Sequence, residues 1–430
     1  MHVLQDALEE ATAKLPTLFL QNLISKKLRE QGIKPKGLSE KIAEHFLAGK
    51  PGPFRYSGRK FPKDVSLTFS EADADEIAQA IDRFETQLPR IVQDVARRTA
   101  KSVLKTLKSR WPNEHTLQEA DLSVFRERLE ERWGKPLDQL RMLLTMSREW
   151  CQEASERESA RKKIKQEQVP ELSIRFLVRA CQVTDEIICL LENGFADGAM
   201  ARWRTLHEIT VVAAVIAEHG ESIAERYVAH QAVESKRAMD KYLACYEQLG
   251  YKPLPLREQK KILQNYDKAV AHYGKPFQSD YGWAASHLKN DRPTFADLEV
   301  AAGRAEMRAH YQMGNDNVHA GIKSMFIRLG LLEDYSGLLS GRSNAGLAEP
   351  GQNAAHTLTQ LSARVCLTEP SFDDLVVGRM LVTLRDEIPR AFYAADMQLR
   401  RDDKQARINA PGNRFPGQRE SQRTPGRKWQ

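Results

Sequence analysis

The stretch that most limits what this chain can fold into is FADGAMARWRTLHEITVVAAVIAEHG, from Phe195 to Gly220. From Leu206 to Ala217 it is apolar on every side of a helix except at His207, Glu208 and Thr210, which predicts a central helix enclosed by others. Its first half nevertheless carries Arg202, Arg204, His207 and Glu208. Isolated charges are costly to desolvate, so these are expected to pair with one another or with neighbouring helices. An enclosed helix with a polar cluster at one end is either a structural network or a site.

The elements around it follow the same logic. A helix is expected from Pro170 to Asn193, with proline at its start and Gly194 at its end, and a third from Glu221 to about Leu249. Turns this short force antiparallel neighbours, so the three should form an up-down-up core. A fourth helix covers Leu256 to Tyr273, followed by the aromatic-bearing loop GKPFQSDYGWAASHLKNDRP. Thr294 should cap a short helix to Ala302, and a longer one should run from near Arg304 through HYQMGNDNVHAG towards Leu332. After the Gly/Ser/Asn/Pro-rich SGLLSGRSNAGLAEPGQN come helices from about Ala354 to Cys366 and from Phe372 to Leu399.

Upstream, helices are expected over residues 3–30, from Ser39 to Leu47, and from Ser70 to about Arg110 with a bend at Pro89. Two more should run from Leu117 to Trp133, stopped by Gly134, and from Pro136 towards Gln168. No stretch shows strand alternation, hence an all-α reading. The domains are an N-terminal helical region (1–115), connecting helices (116–168), an antiparallel helical-bundle domain (169–398) and a disordered basic tail (399–430).

The net charge of +7 is concentrated in that tail, where nine Lys and Arg face Asp402, Asp403 and Glu420. Rich in proline and glycine, the tail is expected to be a solvated segment or an electrostatic tether to nucleic acid or an acidic partner. Arg97, Lys101, Lys105 and Lys108 form a second basic stripe, read as a solvated face or a phosphate contact. There is no apolar run of about 18 residues and no leader pattern, so neither a membrane span nor secretion is expected. Five dispersed cysteines without C-x-x-C fit reduced thiols in a cytoplasm.

Four groups of residues carry candidate chemistry. Tyr311, Asn315 and His319 are spaced i, i+4, i+8 along one helical face, with Asp316 beside His319. Arg204 and Glu208 are i, i+4, with His207 round the same side; Arg226 and His230 repeat the spacing next to Tyr227. Tyr281 and Trp283 stand on the aromatic loop and, with Arg202, Arg226 and Tyr311, are candidate binding residues. H-E-x-x-H, P-loop, G-x-G-x-x-G and Glu-x-x-His patterns are all missing, so no cofactor is expected and nucleotide phosphoryl transfer and zincin or di-iron chemistry are disfavoured.

Three functions stay open. Arg204, His207, Glu208, His230, Asn315 and His319 would suit hydrolysis of a phosphodiester, with His moving a proton and Arg holding the phosphate oxygens. Alternatively, Arg204 and Glu208 are a structural pair in a binding or scaffold module. A metal site through Glu208, His230, Asp316 and His319 is the third, without an established ligand spacing.

The combination GFADGAMARWRTLHEI, ERYVAH, DYGWAA, RPTFADLE and NVHAG, over about Phe125 to Leu332, resembles an uncharacterised bacterial family of helical proteins, a domain of unknown function. The resemblance implies an all-helical, cytoplasmic, prokaryotic protein and no particular activity. That family often has Ser-His-Asn-Val-His where this chain has Asn-Asp-Asn-Val-His, so Asp316 replaces one histidine of any two-histidine site. A looser resemblance connects Arg202-Trp-Arg-Thr-Leu-His207 to the Arg-x4-6-His motif of helical ribonuclease domains in prokaryotic toxins and phage-defence proteins. Trp203 stands where those domains usually carry a polar residue.

Overall fold

A computed structural model describes residues 3–35, 37–49, 52–55, 65–161, 167–319, 321–332, 338–366 and 370–409. Among them there is no strand, and the chain is all-α. It divides into two compact units, Met1–Gln118 and Glu119–Gln430.

The first unit holds α1 (Val3–Ala13), α2 (Leu15–Glu30), α3 (Leu38–Leu47) and the opening part of α4 (Glu71–Arg161). Leu20, Ile24 and Leu28 repeat every four residues on α2 and bury that stripe against Leu38 and Ala43 of α3. Ser70 starts α4 with its backbone N–H and its hydroxyl both donating to Asp73. The same carboxylate accepts from Lys27 of α2 at 2.7 Å, and Lys26 pairs with Glu76 at 2.7 Å.

In the second unit, α4 buries Leu129, Trp133, Pro136, Leu137, Leu140, Leu143, Leu144, Ser147 and Trp150, a row with an average step near three and a half residues. The row packs in one core with α5 (Gln168–Glu192) and α6 (Ala196–His219), which run antiparallel across a tight turn. Gly194 in that turn has φ 73°, and a Cβ there would lie 2.6 Å from both the Phe125 ring and Ser343 O. α7 (Glu221–Ala229), α8 (Gln231–Cys245) and α9 (Leu256–Tyr273) follow, then α10 (Ala285–Leu288), α11 (Phe295–Ala301), α12 (Arg308–Val318) and α13 (Ile322–Phe326). α14 (Ala348–Cys366) packs against α5, α6 and the last helix, α15 (Phe372–Asn409). No helix among the described residues is long and apolar enough to cross a membrane.

Several expected boundaries differ, among them the helix expected over 3–30, which is two, and the one expected from Ala354, which starts at Ala348. α4 is one helix through Pro89, Pro112 and the Gly134-Lys135-Pro136 run. At the last of these the buried row keeps its phase, and core packing of Trp133, Pro136 and Leu137 outweighs the local breaker. Around Pro112 every side chain is exposed, and the structure offers no contact that explains the continuity.

The third helix of the expected core is interrupted at His230, between α7 and α8. The helix through NVHAG stops at Val318: His319 is extended (φ −102°, ψ 147°), and the Ser324 hydroxyl lies 2.9 Å from His319 O and 2.8 Å from Gly321 O, giving the carbonyls at the break a partner. α15 continues to Asn409, past the expected start of the tail at 399, and Arg132 pairs with Asp402 at 2.8 Å; the rest of the tail, 410–430, lies outside the described residues.

Candidate functional site

Two turns of α6 present Trp203, Arg204, His207 and Glu208, and each is met by a different partner. His207 Nε2–H donates to Glu299 Oε1 at 2.9 Å, and only 3% and 1% of these two side chains are exposed. Glu299 comes from α11, which Thr294 and Asp297 start with a reciprocal capping box. Its other oxygen accepts from Arg308 Nη1 of α12 at 2.7 Å. Trp203 stacks on the imidazole at 5.3 Å, with Phe295 and Tyr311 at 5.9 Å. Burial among these rings lowers the His207 pKa below its ordinary value, and the opposing pull of Glu299 only partly offsets it. The imidazole is therefore neutral.

On the adjoining side, Glu208 Oε1 accepts from Arg204 Nη2 at 2.9 Å and from the Tyr311 hydroxyl at 2.7 Å. Burial and then Glu208 push the Tyr311 phenol up to about 12, so it keeps its proton and remains a donor. Arg204 and Arg308 both lie over the Tyr311 ring, at 5.1 and 5.3 Å. Unlike the His207–Glu299 pair, this pair reaches solvent, with Arg204 26% and Glu208 32% exposed. α12 approaches closely because Gly314 has no side chain: a Cβ there would lie 3.2 Å from Arg204 Cβ and 3.3 Å from Met200 O. Nearby, Arg204 Nε and Asn315 Oδ1 are buried with no hydrogen-bond partner among the described residues.

Other candidates hold other things. Arg226 donates from Nε to Trp283 O at 2.8 Å and from Nη2 to Gly282 O at 3.2 Å. His230, its pKa lowered by burial, donates from Nε2 to Ser279 O at 3.0 Å. Together they fasten the aromatic loop from inside, and Trp283 and Phe277 of that loop are core residues. Arg202 turns the opposite way, to Glu186 of α5.

The part of the chain that carries this cluster, residues 171–336, matches a family model. The match is to DUF5677, a family of unknown function. No curated protein and no solved structure matches the chain. The match starts later than the expected Phe125 and covers less than half of the protein.

Within the DUF5677 segment the structure gathers Arg204, His207, Glu208 and Tyr311, with Asn315 one turn along α12. Half-buried Tyr281 is close enough for Glu208 to raise its phenol pKa, after burial. It does not gather the rest. His319 is exposed beyond the helix end, off the face that Tyr311 and Asn315 share, and Arg226, His230, Arg202 and Trp283 serve the contacts above. Arg202 and His207 point to different neighbours, so the ribonuclease-like spacing does not place them on one surface. The groups weighed as metal ligands, Glu208, His230, Asp316 and His319, do not converge, and no cluster of three His, Cys, Asp or Glu side chains suited to a metal occurs among the described residues.

Glu299 and Arg308 belong to the DUF5677 cluster and were missed in sequence. A signal existed for Glu299: in the capped TFADLE run it follows Phe295 at i+4 and adjoins Leu298, on the apolar face.

Proposed function

We propose that the DUF5677 segment is a non-catalytic binding or scaffold module whose polar cluster holds α6, α11 and α12 in register. One observation carries this: of the three candidate histidines, two are buried and committed to protein acceptors, His207 to Glu299 and His230 to Ser279 O, while His319 lies off the shared face. The hydrolytic reading has histidine move the proton, and that needs an imidazole within hydrogen-bond reach of substrate. The charges also balance, with Arg204 and Arg308 against Glu208 and Glu299 and a neutral His207, which leaves no surplus cation for a phosphodiester. Free Cys151, Cys181, Cys189 and Cys245 support a reducing, cytoplasmic setting.

The test is a cleavage assay on RNA and on bis(p-nitrophenyl) phosphate. Wild type should be no faster than Arg204→Ala. A rate lost in a folded Arg204→Ala protein would restore the hydrolytic reading.

A second reading rests on Arg204 Nε and Asn315 Oδ1. They are an unpartnered donor and acceptor on two helices packed together, and we read them as groups that a small ligand with an amide-like edge would satisfy on entering between the helices. A thermal-shift screen of primary amides and nucleobases should then find stabilisers of wild type that fail on Asn315→Ala; equal shifts in both proteins would rule it out.

A further inference from the structure

The first unit leaves an apolar row uncovered. On α4, Ile77, Ile81, Phe84, Leu88, Ile91 and Val95 recur at alternating spacings of four and three and form one seam, while Val103, Leu107 and Trp111 follow at steps of four and turn progressively away from it. Its first half is partly covered by α2, where Phe19 meets the Phe84 ring edge-on at 6.2 Å. Further along the cover ends: Ile91 is 40% exposed, Val95 54%, Val103 49%, Leu107 59% and Trp111 54%. Every side chain from Lys101 to Gln118 is exposed. A lone helix draws little stability from its own hydrogen bonds in water, and an uncovered apolar row of this length marks an interface.

Charge identifies the partner. Residues 71–85 carry Glu71, Asp73, Asp75, Glu76, Asp82 and Glu85 against Arg83. Residues 90–110 carry Arg90, Arg97, Arg98, Lys101, Lys105, Lys108 and Arg110 against Asp94. Lys26 and Lys27 of α2 offset two of the carboxylates, and the first half stays acidic. Two copies side by side in parallel would set acid against acid and base against base. Turned antiparallel, the acidic half of each faces the basic half of the other, at an interhelical distance of roughly 8–10 Å that is close to one Debye length.

We propose that α4 pairs antiparallel with α4 of a second copy of this chain, about a twofold axis near Ile91. Around that axis Ile91 meets its own counterpart and Val95 faces Leu88, so the uncovered end of each seam lies on the half that α2 backs. The basic stripe Arg97, Lys101, Lys105 and Lys108 then serves partner choice. This concerns the first unit and is independent of how the polar cluster is read.

Light scattering of the full chain at about 50 μM should give twice the 48.9 kDa chain mass. Ile91→Asp with Val95→Asp should give a monomer with unchanged melting of the bundle. Lys101→Glu, Lys105→Glu and Lys108→Glu together should weaken dimerisation roughly tenfold or more. Adding Asp75→Lys, Asp82→Lys and Glu85→Lys should recover it. A wild-type monomer, a double-Asp variant that still dimerises, or a dimer strengthened by the lysine reversals (the parallel outcome) would each overturn the proposal. So would a monomer that binds single-stranded RNA through the three lysines.

Discussion

Replacing Glu299 by Gln keeps the shape of a side chain that is 1% exposed but removes the charge to which Arg308 is bound, and leaves His207 with a weaker acceptor. Breaking a buried charged contact from one side is among the costlier single changes, tempered here because Arg308 reaches solvent. The expected loss for Glu299→Gln is about 2–3 kcal/mol. Glu208→Gln touches a pair already in partial contact with water, and about 1 kcal/mol is expected. His319→Ala, at an exposed helix end, should stay within about 0.5 kcal/mol. Thermal melts of the three variants check the order, and a larger loss for Glu208→Gln than for Glu299→Gln would place the structural centre of the cluster at Arg204 instead.

Among the elements, α4 and α14 give opposite answers to the same substitution. Gly134→Ala should stabilise by up to about 1 kcal/mol, because alanine favours a helix and the new methyl meets only the mobile end of Glu130. Gly351→Ala on α14 should cost about 1–3 kcal/mol, since its Cβ would lie 2.3 Å from the Phe392 ring of α15. Melting temperatures moving the same way for both would contradict the packing described. The sequence made α9 legible to the residue, Leu256 to Tyr273, and the Thr294 cap as well, because both are written in local pattern and capping chemistry. It misled at Gly134-Lys135-Pro136, where local breakers were given more weight than the unbroken phase of Leu129, Trp133, Leu137 and Leu140. Of the site, the Arg204–Glu208 spacing was readable. The Arg226 and His230 contacts were not, since their acceptors are backbone carbonyls, which every residue carries and no sequence marks. The break at His319 was hidden for a related reason: it depends on one hydroxyl, Ser324, five residues away.

For the molecule as a whole, His207, His230 and His356 contribute to the response to acid. Burial is the first cause of a lowered pKa in all three, from the ordinary 6.5 of a free imidazole. In the unfolded chain they take up protons near that value, while in the fold they resist. Their contribution is therefore complete above about pH 6.5 and is lost as pH falls through the lower folded values. Urea midpoints should be clearly lower at pH 5.5 than at pH 7.5, and equal midpoints would show that these imidazoles are protonated in the fold. The order of synthesis adds another demand. α14 lies against both α5 and α6, yet about 130 residues separate the end of α6 from its start. At ribosomal speeds of roughly 5–20 residues per second, that interval lasts on the order of ten seconds. Through it the Trp203 indole waits for Thr357, and the apolar sides of two finished helices stand open on the nascent chain. The molecule must be sheltered while it is made, by a chaperone or by its own transient collapse, until one late helix closes the core.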